Sequence, residues 1–94
     1  MVLEMIKFGN ILNGRPAGRE GALRVKQIVN GSGNGENIII DFADVELLTP
    51  SYADEFIKGI KEFYPNKKIE ARGYENNPVI KETLLTLKLV STTV

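Results

Sequence analysis

The run from Ile38 to Phe42 is the feature that most constrains the fold of this 94-residue chain. Three consecutive isoleucines open it, and such a run is typical of a strand buried on both faces in a parallel sheet. After a short link, Thr49, Pro50 and Ser51 have the pattern of a helix start, because proline suits the first helical position. A buried strand that leads through a short link into a helix predicts an α/β fold.

The spacing of apolar residues elsewhere predicts that strands and helices alternate along the chain. We expect an edge strand over residues 2–8, a helix over 16–29, the central strand over 38–42, a helix over 49–64, a less buried strand over 68–72, and a last helix that starts at Pro78 and is capped by Asn77. The expected core includes Ile39, Phe56, Ile60, Ile80, Leu84 and Leu87. The chain is therefore predicted to form one domain over residues 1–94, with a small, mostly parallel or mixed sheet flanked by helices in the order βαβαβα.

Composition argues against several functional classes. The chain has no cysteine and no histidine, which removes disulfides, most zinc sites and the Ser-His and Cys-His nucleophile systems. Basic and acidic residues are equal in number, 12 each, so there is no general electrostatic reason to bind nucleic acid or an anionic membrane. No segment has the length of a signal peptide or membrane span. We expect a cytoplasmic protein that is not an enzyme and has no cofactor or metal.

Asn30–Gly35 is rich in glycine, a composition that in other contexts cradles phosphate. A phosphate-binding loop follows a strand and opens a helix, whereas this segment follows a predicted helix and enters a predicted strand. It is interpreted as a flexible connector.

Acidic side chains follow the central strand and suggest a competing function. Asp41, Asp44 and Asp54, with Glu46 and Glu55, are expected near the strand end, where carboxylates can bind Mg²⁺ for phosphoryl transfer. The alternative hypothesis is therefore a small metal-dependent phosphoryl acceptor or enzyme. Such a site also needs paired acids after the first strand, and that strand ends in Phe8-Gly9-Asn10. We expect Asp41 to bind loop amides instead, and Asp44 and Glu46 to be solvated.

Ser51 has two interpretations. With Asp54 three residues later it matches a capping box, which requires no further function, and Thr49 is a competing cap. A serine at a helix start is also a place where a phosphate is tolerated, because free N–H groups and the helix dipole favour negative charge there. The residues alone leave both interpretations open.

The same stretch resembles the central motif of STAS domains, the fold of bacterial anti-sigma factor antagonists. There an aliphatic strand ends in Asp and the next helix opens with Asp-Ser-Ser-Gly-Leu, so Thr49 and Pro50 take the first two positions and Ser51 that of the phosphorylatable serine. Tyr52 and Ala53 replace Gly and Leu. The chain is more similar to a STAS-like family of unknown function, whose helix opens with a Ser-Phe-Ala-Asp-Glu type of run. Ser51–Phe56 matches that run, and Arg15, Gly18 and Arg19 match its earlier Arg and Gly signature.

The resemblance implies a regulatory protein-interaction module that contacts its partner through the start of the 49–64 helix. It implies an ATP-binding anti-sigma or kinase-type regulator as the partner, and Ser51 as the candidate phosphoacceptor. The candidate partner-binding residues are Thr49, Ser51, Tyr52, Asp54, Glu55, Arg15 and Arg19. A structural subunit that acts by oligomerisation is a further alternative, and the oligomeric state is left open.

Overall fold

The structure is a computed structural model and describes residues 1–29 and 37–86. The predicted α/β class is confirmed. The strands are β1 (Val2–Glu4), β2 (Ile11–Leu12), β3 (Ile38–Asp41), β4 (Leu47–Leu48) and β5 (Ile69–Arg72), and the helices are α1 (Arg15–Val29), α2 (Pro50–Phe63) and α3 (Pro78–Thr86). Within the described residues, no helix is both long enough and apolar enough to cross a membrane.

The main sheet has three parallel strands in the order β1-β3-β5. Val2 pairs with Ile39 on one side of the central strand, and Ile38 pairs with Ile69 on the other. The isoleucine run therefore forms the middle of the sheet, as its composition predicts. Parallel neighbours place the carboxyl ends of β3 and β5 at the same edge, the edge at which α/β proteins build their sites.

Burial differs between the two faces of β3. Ile38 and Ile40 are fully buried, whereas Ile39 is only half-buried. The expectation that the strand is buried on both faces, with Ile39 in the core, is wrong. Successive side chains point to opposite faces of a sheet, and the face that carries Ile39 also carries Val2, which is 44% exposed. The sheet packs its core through one face.

The N-terminal segment is not the single strand over residues 2–8 that was expected. β1 ends at Glu4, and a 3₁₀ turn at Met5–Lys7 follows it. Met5 is fully buried in this turn, and the Phe8 N–H donates to the Met5 carbonyl over 2.9 Å. The chain then forms β2, which pairs in parallel with β4 in a second, two-stranded sheet that the sequence did not predict.

Helices α1 and α2 pack against each other through small residues. A β-carbon added at Gly59 would lie 2.5 Å from the Ala22 β-carbon, and one at Gly18 would lie 2.6 Å from the Tyr52 carbonyl oxygen. Such distances leave no room for a side chain, so glycine at these two positions permits the close approach. Phe56 and Ile60 lie in the resulting core, as predicted.

The C-terminal elements follow the expected pattern. The side chain of Asn77 caps α3 by accepting the Ile80 N–H over 3.2 Å, and Ile80 and Leu84 are buried. Strand β5 is only partly buried, also as predicted. The expectations for Leu87 and for the glycine-rich segment 30–35 fall outside the described residues.

Candidate functional site

The starts of α1 and α2 meet at the hydroxyl of Thr49. This oxygen accepts the Gly14 N–H over 3.1 Å and the Tyr52 N–H over 3.3 Å. Gly14 immediately precedes α1, and its carbonyl accepts the Gly18 N–H at the first turn of that helix. One hydroxyl therefore serves both helix starts, whose dipoles make the shared region electropositive. We refer to the surface formed by Gly14, Arg15, Thr49, Ser51, Asp54 and Glu55 as the helix-start surface.

Thr49, and not Ser51, is the cap of α2. Thr49 has an extended backbone, with φ −81° and ψ 152°, and Pro50 is the first helical residue. Ser51 is consequently the second residue of the helix and lies past the capping position. The capping box of Ser51 with Asp54 is wrong, and the competing assignment of Thr49 is correct. Within the described part of the chain, the half-buried Ser51 hydroxyl makes no hydrogen bond.

Arg15 connects the two helices through the carboxylates of α2. Its Nη1 lies 2.8 Å from Asp54 Oδ2 and 3.2 Å from Glu55 Oε2. Arg19 reaches Glu55 more loosely, at 3.9 Å, and Lys58 lies 3.3 Å from Asp54. These pairs account for cations at a helix start, where the dipole disfavours them. In the structure Arg15 and Arg19 thus bind carboxylates of their own chain.

The ion pair perturbs the ionisation of both partners. The hydrogen bond from Arg15 lowers the pKa of the Asp54 carboxyl, and Lys58 acts in the same direction. The hydrogen bonds to Asp54 and then to Glu55 raise the pKa of the Arg15 guanidinium. Both groups are therefore held in their charged forms at neutral pH.

Tyr52 belongs to the core. Its side chain is only 3% exposed and its ring stacks on Phe56, with the ring centroids 5.8 Å apart. Loss of solvation raises the pKa of the Tyr52 phenol to about 12. A buried ring does not support the expectation that Tyr52 contacts a partner, so this candidate is corrected to a packing residue. Its position follows from the helix period, which places Tyr52 on the same side as Phe56.

The acidic residues near the central strand do not come together as one group. Asp41 Oδ1 accepts the Ala43 N–H over 3.0 Å and its Oδ2 lies 3.3 Å from Arg72 Nε, which confirms the expectation that Asp41 binds a loop amide. Asp54 is held by Arg15 on the helix-start surface. Among residues 1–29 and 37–86, no three carboxylates are arranged to hold a metal ion.

A concave region lies beyond the carboxyl ends of β3 and β5, and we refer to it as the strand-end cleft. Its volume is about 500 Å³. Its described lining residues are Phe42, Ala43, Asp44, Val45, Glu46, Gly73, Glu75, Asn76 and Asn77. The sequence predicts acidic side chains at this strand end, but it does not assign the loop at residues 73–77 to a site. The sequence signal for it was weak, a polar loop after the predicted strand at 68–72.

The parallel sheet and the helices that follow its strands define an α/β domain, and this architecture is consistent with a STAS-like fold. The family model for the STAS-like domain of unknown function (DUF4325) matches residues 23–77, more than half of the chain, and the chain belongs to this family. The matched stretch includes Thr49 and the Ser51–Phe56 run, and it begins after Arg15 and Arg19. Neither the comparison with curated proteins nor that with solved structures found a match.

Proposed function

We propose that this domain is a non-enzymatic regulatory module that binds a protein partner through the helix-start surface, and that phosphorylation of Ser51 switches this binding. The partner class proposed from the resemblance is an ATP-binding regulator of the anti-sigma or kinase type. The observation that carries the proposal is a difference between two neighbouring hydroxyls. The Thr49 hydroxyl caps the helix, whereas the Ser51 hydroxyl makes no hydrogen bond among the described residues.

The Ser51 hydroxyl is suited to accept a phosphate, because it lies at the second helical position and makes no hydrogen bond to the described residues. Modification of Ser51 would remove no hydrogen bond that the described part of the fold uses, because Thr49 supplies the cap. A phosphate would carry nearly two negative charges into the first turn, where the N–H groups and the helix dipole favour anions. The α2 helix would therefore accept the modification without unfolding.

The same phosphate would change the charges that a partner meets. Asp54 is three residues after Ser51, so the two side chains lie on the same side of the helix. A phosphate there would repel the Asp54 carboxylate and compete with it for Arg15, since both groups form charge-assisted hydrogen bonds with a guanidinium and the phosphate carries more negative charge. The Arg15 pair with Asp54 is exposed to solvent, so this exchange requires no rearrangement of the core.

The test uses the partner that co-purifies with the native protein and is identified by mass spectrometry. We expect Ser51→Asp to bind this partner at least tenfold more weakly than the unmodified protein, which corresponds to about 1.4 kcal/mol. Ser51→Asn is the matched control, because it has nearly the same shape as aspartate without the charge. It should bind within about twofold of the unmodified protein.

Equal affinities for Ser51→Asp and Ser51→Asn would exclude charge at this position as the switch. Arg19 is exposed and lies next to the helix-start surface, where its ion pair with Glu55 is long, at 3.9 Å, so Arg19→Gln tests whether the partner binds at this surface without disturbing a close contact among the described residues. Unchanged affinity in both Arg19→Gln and Ser51→Asp would place the partner elsewhere on the domain.

A further inference from the structure

The strand-end cleft is separate from the helix-start surface and carries unpaired negative charge. Asp44, Glu46 and Glu75 line it, are exposed, and make no ion pair within the described residues. The carboxylates of the helix-start surface differ, because both are bound by Arg15. No lysine or arginine is among the described residues that line the cleft. The chain as a whole has no net charge, so the cleft is a region where negative charge is locally in excess.

An exposed apolar pair begins one residue along the chain from Glu46, which lines the cleft. Ile11 and Leu47 are register partners in the β2–β4 sheet, and they are 59% and 36% exposed. Leu47 directly follows Glu46, whose N–H donates to the backbone carbonyl of Asn10 over 3.0 Å. The carboxylate of the cleft rim and the two aliphatic side chains therefore belong to neighbouring backbone segments. Parallel register partners project to the same face, so the two side chains form one small apolar surface.

The loops around the cleft are connected to each other. The side-chain nitrogen of Asn77, Nδ2, donates to the backbone carbonyl of Val45 over 3.2 Å and to that of Glu46 over 3.1 Å. The carbonyl oxygen of the same side chain caps α3 through Ile80. Asn77 thus fixes the loop after β3 to the start of α3. A surface held in this way loses little conformational freedom when a ligand binds.

We propose that the strand-end cleft and the Ile11–Leu47 pair together bind a basic amphipathic segment of a protein partner. A lysine or arginine side chain of that segment enters the cleft, and a neighbouring aliphatic side chain packs on Ile11 and Leu47. Charge complementarity selects this occupant, since acidic residues that make no ion pair among the described residues attract cations and repel nucleic acid and acidic peptides. The long aliphatic stem of a basic side chain also suits a cleft with both polar and apolar walls.

The test is an NMR titration with a short probe peptide, N-acetyl-Leu-Arg-Leu-amide. We expect chemical-shift changes in the amides of residues 43–47 and 73–77 and of Ile11. The matched peptide N-acetyl-Leu-Glu-Leu-amide should leave these signals unchanged. The double variant Glu46→Gln with Glu75→Gln should weaken binding of the arginine peptide at least about fivefold.

Two control variants distinguish binding at the cleft from a general response to negative charge and from the Ser51 switch. The double variant Glu20→Gln with Glu62→Gln removes the same charge from exposed positions on α1 and α2 and should bind the arginine peptide as the unmodified protein does. Ser51→Asp should also leave this binding unchanged, so the result is independent of the proposed switch. Equal binding of both peptides, equal loss in the two double variants, or no binding at the cleft would overturn the proposal.

Discussion

The Thr49 hydroxyl accepts a hydrogen bond from the backbone of Gly14, 35 residues earlier in the chain, over 3.1 Å. The same oxygen caps α2 through Tyr52. One side chain therefore holds the starts of both helices of the helix-start surface. Because Thr49 supplies the cap, Ser51 is not needed as one, and we expect loss of the Thr49 side chain to destabilise the fold more than loss of the Ser51 side chain.

Replacement of Thr49 should be costlier than replacement of Ser51. We expect Thr49→Ala to lower the free energy of unfolding by about 1–2 kcal/mol, because α2 loses its cap and the Gly14 N–H loses its acceptor. Ser51→Ala should change it by less than about 0.5 kcal/mol. Urea denaturation measures both, and Thr49→Ser, which keeps the hydroxyl, is the control. A Ser51→Ala variant as unstable as Thr49→Ala would contradict the assignment of the cap.

The contact between α1 and α2 should not tolerate a methyl group at Gly59. Alanine normally stabilises a helix relative to glycine, yet Gly59→Ala should destabilise this protein by about 1–3 kcal/mol because the new β-carbon meets that of Ala22. Ala22→Gly removes the opposing atom. In a double-mutant cycle, Gly59→Ala with Ala22→Gly should therefore be more stable than the sum of the two single changes predicts. Simple additivity would show that the two helices do not approach closely at these residues.

The Arg15–Asp54 pair should be visible in the acid titration of the protein. Because Arg15 lowers the pKa of Asp54, the stabilisation from this pair is present above the ordinary aspartate pKa of about 3.9 and is lost as the pH falls through the lower folded-state pKa. NMR titration of the Asp54 carboxyl carbon should show that low pKa, and Arg15→Gln should raise it. Lys61→Gln, a change of the same charge on α2, should not.

The buried phenol of Tyr52 should make the protein sensitive to alkali. Its pKa is raised to about 12 by burial, whereas an unfolded tyrosine ionises near pH 10. Its contribution to stability is therefore complete below about pH 10 and declines as the pH rises toward 12. Tyr52→Phe should lose less stability over this interval when unfolding is followed by denaturant titration. Equal losses would place the phenol in solvent.

Long periodic segments made most of the fold predictable. The isoleucine run identified the central strand, and the apolar spacing of Phe56 and Ile60 identified the buried side of α2. Strands β2 and β4 escaped detection because two residues contain no measurable period, and their pairing depends on contacts between distant segments. Ile39 was misassigned because an all-apolar run does not reveal that one face of its sheet is only partly covered.

The candidate site was predictable in its location and less so in its roles. Sequence identified Thr49 and Ser51 at a helix start, and geometry was needed to decide which of them is the cap. The sequence indicates that Arg15 is a candidate, but it does not reveal the carboxylates that Arg15 binds. Asp54 and Glu55 are 39 and 40 residues further along the chain, and no local pattern connects residues so far apart. The strand-end cleft depends on two loops that meet only in the folded chain, and no local pattern marks such a meeting.

The all-parallel pairing of the described strands has a consequence for how this chain folds as it is synthesised. Asp41 and Arg72, partners across β3 and β5, are 31 residues apart, and the partners in the other two strand pairs are farther apart still. None of these pairs can begin as a local hairpin, so each must close a long loop first. Until Ile69–Arg72 has left the ribosome, β1 is the one described neighbour available to the isoleucine strand, and the other edge of that strand is open to a second nascent chain. Of the described strands, β5 is made last, and it is the one that protects the most hydrophobic segment from aggregation.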